Sequence, residues 1–300
     1  MTLPWLALVN PAAGGGKCGR EAAAALEGLR KRGVAIDEAV TARPGHAVAL
    51  ARDGYRSGYR RFVAVGGDGT SHEIVNGLFP LPAGAERPSL AFLPLGTGNS
   101  FLRDFSDRGA EHAAGALVAG RERPCDVLRL VHAGGLLHSI NLLCLGFPAD
   151  VAAVTNRRFK RLGEFGYLLG ILACLARMKR RAFPHRVDGS AETDAGRCLF
   201  LSFNNSKYTG GRMMIAPRAE TSDGLVEIVR WGPIGRLALL RRLRGLFDGS
   251  HIDHPLARRR AARRVDFALE GPVDVMVDGE VVALHCRSLE VLPSALTVVA

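Results

Sequence analysis

Aromatic residues are scarce in this sequence, at 6% of its 300 residues, and they do not alternate with its basic residues. Proteins that bind nucleic acids commonly stack aromatic side chains on bases beside basic groups. The sequence therefore predicts no nucleic-acid partner, despite a formal net charge of +11.

Histidine pairs are lacking as well. No two histidines have H-x-x-x-H or H-E-x-x-H spacing, so a histidine-based metal site is not expected.

Export and membrane-spanning signals are also lacking. Residues 1–9 contain Pro4 and no basic segment, which argues against a signal peptide. The longest apolar helical stretch, 167–176, is too short to cross a bilayer. Six cysteines show neither C-x-x-C spacing nor a short secreted framework, so we expect buried thiols in a reducing compartment. These features predict a cytoplasmic protein.

What the sequence has in abundance is positive charge in its second half. Such clusters are attracted to anionic lipid surfaces, so each could be part of a membrane-binding surface. The alternative is that each cluster is an ordinary basic surface exposed to solvent. Because all the clusters lie in one half, we expect a peripheral position on the inner, anionic face of a membrane. The clusters are 157–161, 177–181, 241–244 and 258–264.

A glycine-rich turn near the middle of the first half carries the strongest chemical signal. The apolar run 62–65 predicts a strand, and Thr70 with Glu73 predicts a capping box that begins a helix. Such a turn exposes backbone N–H groups to a phosphate, and an acid beside a phosphate indicates an intervening Mg²⁺. The alternative is an Asp-Gly turn with an ordinary helix cap, and this stretch alone leaves both open. The turn consists of Gly66, Gly67, Asp68, Gly69 and Thr70.

Two further strand–turn–helix units support the first interpretation. An apolar run at 5–9 leads into glycines at 14–16, and another at 90–95 leads into the turn 96–99. Strands that alternate with helices predict an α/β domain of three layers with a parallel sheet, assigned to residues 1–124. In such sheets, ligands bind at the carboxyl ends of the strands, where these turns would meet.

Together these motifs resemble the diacylglycerol kinase catalytic domain family, which includes bacterial soluble lipid kinases and sphingosine kinases. The ordered set is Asn10-Pro11-x-x-Gly14-Gly15, Gly66-Gly67-Asp68-Gly69-Thr70 with Glu73, and Pro94-Leu95-Gly96-Thr97-Gly98-Asn99. The resemblance implies an ATP- and Mg²⁺-dependent kinase with its active site in a cleft between two domains. The residues that it places at the nucleotide are Asn10, Pro11, Gly14, Thr41, Gly66, Gly67, Asp68, Gly69, Thr70, Glu73 and Thr97.

The second half contains consecutive strand-like runs, which predict a β-rich antiparallel sandwich at 125–290 that would hold the lipid acceptor. The segment 291–300 is expected to return to the first domain. By resemblance, the catalytic residues are Glu280 as general base, Asp278, which would orient it or assist with metal, and Asp68, which would bind Mg²⁺ directly or through water. Asp278-Gly279 also has the composition of a hairpin turn, which is compatible with this role.

A metal site in the second half is likewise implied by the resemblance. Its ligands would be Glu220, Asp223 and the carbonyl of Leu225, a set that suits a hard cation, although Asp223-Gly224 is also an ordinary turn. For the predicted helix 234–247, the stripe of Leu237, Leu240 and Leu243 favours packing against the core over insertion into a membrane interface.

The sequence therefore predicts a kinase that phosphorylates a hydroxyl of a membrane lipid, such as diacylglycerol or a sphingoid base, at an anionic surface. Two alternatives stay open: a soluble kinase of the NAD kinase type, which shares the GGDGT stretch, and a non-catalytic lipid-binding protein. A homodimer also remains open.

Overall fold

The computed structural model describes residues 4–159 and 163–300. Within it the chain divides into two compact units, which we call unit 1 (Met1–Cys125 with Ser294–Ala300) and unit 2 (Asp126–Pro293). Two residues of the first basic cluster, Lys160 and Arg161, lie outside the described residues.

Unit 1 alternates strands with helices, as its hydrophobic pattern predicts. Its strands are β1 (Trp5–Val9), β2 (Ile36–Val40), β3 (Arg61–Gly66) and β4 (Ser89–Pro94). Its helices are α1 (Lys17–Lys31), α2 (His46–Arg56), α3 (Asp68–Leu78), a 3₁₀ turn at Phe101–Asp104, and α4 (Gly109–Ala119). The strands pair in parallel in the order β2-β1-β3-β4.

Alternation along the strands of unit 1 places successive side chains on opposite faces of the sheet. One face, which includes Trp5, Ala7 and Val9, packs against α1 and α4. On the other face, Leu6 and Phe62 pack so closely against Gly54 of α2 that a Cβ there would lie 2.5 Å from the Leu6 side chain. The three-layer α/β arrangement is therefore confirmed.

Unit 2 is dominated by antiparallel strands. In chain order its elements are β5 (Glu122–His132), β6 (Gly135–Ser139), β7 (Leu142–Gly146), α5 (Phe147–Val154), a π-helical turn (Thr155–Phe159), α6 (Gly163–Leu175), β8 (His185–Val187), β9 (Phe200–Asn204), β10 (Tyr208–Thr209), β11 (Met213–Met214), β12 (Val226–Trp231), α7 (Arg236–Arg242), α8 (Gly245–Asp248), a 3₁₀ turn (Ser250–Asp253), β13 (Ala257–Ala262), β14 (Arg264–Phe267), β15 (Val273–Val277), β16 (Glu280–Leu284) and β17 (Cys286–Val299). The residues of β5 before Asp126 and those of β17 after Pro293 belong to unit 1. Six of these strands form one sheet in the order β13-β12-β9-β7-β15-β16.

The core of unit 2 lies on both faces of this six-stranded sheet. One face packs against β5, β8, β14 and β17, which confirms the predicted antiparallel sandwich. The other face packs against α5, α6 and α7. The strand β17 pairs antiparallel with β14 through 288–290 and parallel with β4 through 297–299, so its last residues complete the sheet of unit 1.

The predicted packing of the 234–247 helix is wrong. The segment forms two short helices, α7 and α8, and in α7 the buried leucine is Leu239. Leu237 and Leu240, which were assigned to the core, are 70% and 38% exposed, and only Leu243 of the predicted stripe packs partly against the core. The stripe was predicted from the three-residue spacing of Leu237, Leu240 and Leu243. A helix of only two turns buries a single row of side chains, and in α7 this row contains Leu239.

All six cysteines are free and buried, as predicted. Burial raises the pKa of the Cys198 thiol to about 12 and that of Cys286 to about 11. Because the thiolate is the reactive form, these groups are expected to be inert.

Candidate active site

The carboxyl ends of the unit 1 strands are joined by backbone hydrogen bonds. Thr41 N–H donates to the Val9 carbonyl at 2.8 Å, and Asn10 N–H donates to the Val65 carbonyl at 3.0 Å. Gly96 N–H donates to the Gly66 carbonyl at 2.8 Å. The turns after β1, β2, β3 and β4 therefore meet at one edge of the sheet, where parallel α/β folds bind ligands.

Asp68 connects two of these turns. Its N–H donates to the Gly98 carbonyl at 2.9 Å, and its Oδ2 accepts the N–H of Ser100 at 2.7 Å. The carboxylate thus lies where the 3₁₀ turn Phe101–Asp104 begins, and the side chain remains partly exposed. Asp68 consequently fixes the turn after β4 relative to the turn after β3.

The predicted capping box of Thr70 and Glu73 is wrong. The helix α3 begins at Asp68, two residues earlier, and its N-cap residue is Gly67. Glu73 instead accepts the N–H groups of Gly45 at 2.9 Å and Ala47 at 3.1 Å, at the start of α2. The side chain of Glu73 therefore holds the segment that follows Thr41, at the start of α2 rather than at the start of its own helix.

Asn10 joins the first turn to the third. Its Nδ2 donates to the Thr70 hydroxyl at 3.2 Å, and its Oδ1 accepts the N–H of Ala12 at 3.2 Å. The second bond closes a local turn of the kind that Asn side chains favour. Because Pro11 follows directly, the loop leaves β1 in a fixed direction.

The glycines of these turns serve two different purposes. A Cβ on Gly14 would lie 2.7 Å from the Leu95 carbonyl oxygen, and one on Gly67 would lie 2.7 Å from the Gly98 carbonyl oxygen. These contacts are too close for any other residue, so these glycines let neighbouring turns pack together. Gly15 and Gly69, in contrast, have no atom within 4 Å of a built Cβ, so a ligand has room to approach the backbone there.

The remaining predicted nucleotide residues lie along the same edge. Thr41 is buried and Thr97 is exposed. Sequence reasoning missed two cations here: Lys17, an exposed residue that begins α1, and Arg20, whose Nη1 would lie 3.4 Å from a Cβ on Gly16. Their position directly after the glycines Gly14–Gly16 is the sequence feature that could have identified them.

Asp278 and Gly279 form the tip of the β15–β16 hairpin in unit 2, as their composition indicates. Both residues have positive φ, at 48° and 93°, and Val277 pairs with Glu280 across the turn. Asp is among the residues that tolerate this conformation, and Gly adopts it freely. Glu280 is therefore placed at the first position of β16, where its side chain is exposed.

Asp278 is buried, with 7% of its surface exposed, and its carboxylate is engaged by the protein. Its Oδ1 accepts the hydroxyl of Ser139 at 2.6 Å and the N–H of Leu142 at 3.3 Å. The side chain thereby ties the hairpin to the connection between β6 and β7. These bonds hold in place the turn that precedes Glu280, and the assistance of Asp278 with a metal stays a prediction.

Removing this carboxylate is expected to destabilise unit 2. Asp278→Ala leaves two buried donors without their acceptor, so the free energy of unfolding should fall by about 2–4 kcal/mol. Chemical denaturation of Asp278→Ala, Ser139→Ala and the double variant measures the coupling between the two side chains. We expect at least about 1 kcal/mol of coupling, and additive losses would contradict a direct interaction. Asp274→Ala, at an exposed position of the same strand, is the matched control.

The predicted metal residues lie together on the loop before β12. Glu220 and Asp223 are both exposed, and the Asp223 Oδ1 accepts the N–H of Leu225 at 2.9 Å. Within residues 4–159 and 163–300, no group of three or more His, Cys, Asp or Glu side chains could hold a metal ion. A site built from two carboxylates and one carbonyl stays a prediction.

Asp126 is a buried acid that sequence reasoning missed as part of this region. It is 0% exposed, its Oδ2 accepts the N–H of Gly224 at 2.6 Å, and its own N–H donates to the Thr221 carbonyl at 2.7 Å. Asn205 Nδ2 donates to the carbonyls of Asp126 and Ile140. The sequence feature that could have identified Asp126 is a charged residue at the start of an apolar run.

Buried polar groups therefore connect the two loops of unit 2 that carry predicted site residues. Asn205 N–H donates to the Asn141 carbonyl at 2.8 Å, and Ser206 hydrogen-bonds the Asn141 side chain. Ser139, which binds Asp278, precedes Asn141 by two residues. The hairpin bearing Glu280 and the loop bearing Asp223 are thus held by one hydrogen-bonded framework.

Unit 1 has the arrangement of a phosphate-binding α/β domain, and unit 2 adds an acidic hairpin on an antiparallel sandwich. Residues 4–130 match the family model described as the diacylglycerol kinase catalytic domain. Residues 141–300 match the model described as the YegS C-terminal NAD kinase beta sandwich-like domain.

Two named relatives align with nearly the whole chain. A diacylglycerol kinase of Mycobacterium tuberculosis is 29% identical over 295 residues, 97% of this chain and 93% of the relative. A protein of Pseudomonas aeruginosa named "Probable lipid kinase YegS-like" is 31% identical over 280 residues, 93% of this chain and 89% of the relative. The chain therefore belongs to the diacylglycerol kinase family, and it is a lipid kinase.

Solved structures have the same fold. A structure described as a diacylglycerol kinase from Bacillus anthracis aligns with a TM-score of 0.69 at 21% identity, covering 99% of this chain and 96% of the other. A second structure from the same organism aligns with a TM-score of 0.78 at 23% identity, covering 99% and 94%. Both alignments extend through the two units.

Proposed function

We propose that this kinase transfers the γ-phosphoryl group of ATP, with Mg²⁺, to a hydroxyl of a membrane lipid such as diacylglycerol or a sphingoid base. The observation that carries the proposal is the meeting of four strand-end turns around Gly66–Thr70 at one edge of unit 1. The names of the relatives support a lipid as the acceptor.

The residues at this edge fit a nucleotide phosphate. The backbone at Gly15 and Gly69 faces open space, and the first turn of α3 provides the positive end of a helix dipole. Lys17 adds a cation with 53% of its side chain exposed. Asp68 has a partly exposed carboxylate, and carboxylate oxygens are ligands that a hard cation prefers, directly or through water.

The protein's contribution to phosphoryl transfer is mainly positioning and charge compensation. When bound, Mg²⁺-ATP supplies the phosphoryl group and neutralises its charge. Asp68 would hold the metal, and its bond to Ser100 keeps the two turns in register, while Glu73 and Asn10 hold the neighbouring loops. Glu280 accepts the proton of the attacking hydroxyl.

The lipid acceptor would bring the protein to an anionic membrane surface. None of the helices that the structure describes combines the length and apolar character needed to cross a bilayer. We propose a position in the cytoplasm on the inner, anionic leaflet, because the basic residues of unit 2 suit an anionic surface. Since exposed charges are screened by salt, binding of vesicles should weaken as salt is added.

The experiment that tests the function is a transfer assay with γ-labelled ATP, Mg²⁺ and a total lipid extract. We expect a labelled lipid product, which thin-layer chromatography identifies, and no product when Mg²⁺ is removed with EDTA. Labelling of NAD in lipid-free buffer would favour a kinase of the NAD kinase type instead. Failure to bind Mg²⁺-ATP in a calorimetric titration would favour the non-catalytic alternative and overturn the proposal.

A further inference from the structure

A basic pocket of about 600 Å³ lies in unit 2. It is formed by the segment after α6, the residues before β9 and the start of α7. Three of its lining side chains are arginines, Met178 and Leu237 are apolar, and none of the lining residues is acidic. The lining residues are Met178, Arg180, Arg197, Gly235, Arg236, Leu237 and Ala238.

The three pocket arginines are exposed, whereas four less exposed arginines of unit 2 are paired with acids. Arg129, Arg181, Arg230 and Arg259 all pair with carboxylates within 3.1 Å. Among the side chains that the structure describes, no carboxylate lies within 4 Å of the guanidinium of Arg180, Arg197 or Arg236. The pocket thus carries positive charge that the described part of the protein does not neutralise.

One of the three is held in place by the pocket wall. Arg180 Nε donates to the Ile234 carbonyl at 3.0 Å, and this bond joins the segment after α6 to the start of α7. A guanidinium group has five N–H donors in a fixed planar arrangement. The Nη groups of Arg180 therefore remain for an anion, and the geometry of such a fork matches phosphate oxygens.

The rim of the pocket is apolar and exposed. Leu237 is 70% exposed and Leu240, three residues later on α7, is 38% exposed. Exposed leucines beside unpaired arginines, on elements too short to cross a bilayer, are typical of an interfacial segment.

We propose that this pocket binds the phosphate of an anionic phospholipid that is not the substrate, while Leu237 and Leu240 enter the acyl region of the bilayer. Charge complementarity selects the headgroup, because three arginines that form no ion pair with a described carboxylate suit a phosphodiester. The exposed side chains of Leu237 and Leu240 favour a lipid over a soluble anion, since a free phosphate would leave both leucines in contact with water. The inference rests on the proposed function only in placing the protein at a membrane.

The first test measures binding to vesicles of phosphatidylglycerol and phosphatidylcholine, without ATP or acceptor lipid. Each basic side chain near an anionic surface contributes roughly a fivefold factor, so Arg197→Gln with Arg236→Gln should weaken binding about 30-fold. Arg186→Gln with Arg287→Gln removes the same charge from exposed positions on β8 and β17 and should weaken binding less than about threefold. Equal losses in both double variants would overturn the site.

The second test distinguishes a lipid from a free anion. Leu237→Trp should show a blue-shifted emission on phosphatidylglycerol vesicles, and Leu136→Trp, at another exposed position of unit 2, should not. The natural tryptophans, Trp5 and Trp231, are buried and give a constant background. An unshifted Leu237→Trp would overturn insertion, and displacement of the protein from vesicles by millimolar phosphate but not by sulfate would assign the pocket to a small anion.

The two tests also separate this inference from the kinase assignment. Vesicle binding is measured without phosphoryl transfer, so its outcome does not depend on the active site. A protein that phosphorylates a lipid but binds vesicles equally well with and without the pocket arginines would overturn the inference alone. A protein that shows pocket-dependent binding without transferring phosphate would overturn the proposed function alone.

Discussion

Replacing Asp68 by Asn is expected to reduce lipid phosphorylation at least about 100-fold, because it removes the negative charge that compensates the metal at the phosphates. The substitution preserves the size of the side chain, and the Asn oxygen still accepts the N–H of Ser100. The fold of unit 1 should therefore be retained. Initial rates with γ-labelled ATP, together with a thermal melt, measure the two effects separately.

Asp53→Asn provides the matched control for Asp68. Asp53 is an exposed acid on α2, so its replacement changes the net charge equally without touching the turns. We expect the control to keep its full rate. Full turnover in Asp68→Asn would show that the carboxylate has no part in the chemistry and would remove the metal role from the proposal.

Glu280→Gln is expected to lower kcat by roughly 100- to 10,000-fold, the range of a lost general base. The side chain is exposed at the start of β16, so the change in unfolding free energy should stay within about 0.5 kcal/mol. The affinity for Mg²⁺-ATP, measured by calorimetry, should be unchanged because the residue is assigned to the acceptor hydroxyl. Steady-state rates at saturating ATP give the fall in kcat.

Glu270→Gln, an exposed acid elsewhere in unit 2, is the control for Glu280. It should retain the rate of the unmodified protein. If Glu280→Gln also retains that rate, another group must accept the hydroxyl proton. A loss of ATP affinity in Glu280→Gln would contradict its assignment to the acceptor.

Local features of the first half could be predicted from sequence because each lies within a few residues. The strand, glycine turn and helix around Asp68 are encoded by an apolar run, glycines and a periodic pattern, and all three are present. The partners of the side chains could not be predicted in the same way. Glu73 binds N–H groups at Gly45 and Ala47, whose position depends on the packing of α2 against α3.

The second half was harder to predict because its strands depend on distant partners. The strand β13 contains three consecutive arginines, which do not resemble a strand sequence. It forms because it pairs with β12 and because Arg259 reaches the buried Glu227, with a distance of 2.5 Å between Nε and Oε1. The apolar residues from 136 to 147 do not form one strand, because the chain between β6 and β7 turns at Ile140 and Asn141, which join the buried polar framework.

The final strand imposes an order of assembly on the polypeptide. Residues 297–299 of β17 pair with β4, and Val298 and Val299 are completely buried within unit 1. During synthesis, the ribosome makes β4 long before these residues, and the whole of unit 2 emerges in between. Unit 1 must therefore wait with one sheet edge incomplete until residues 297–299 have been made, and only then does its core close.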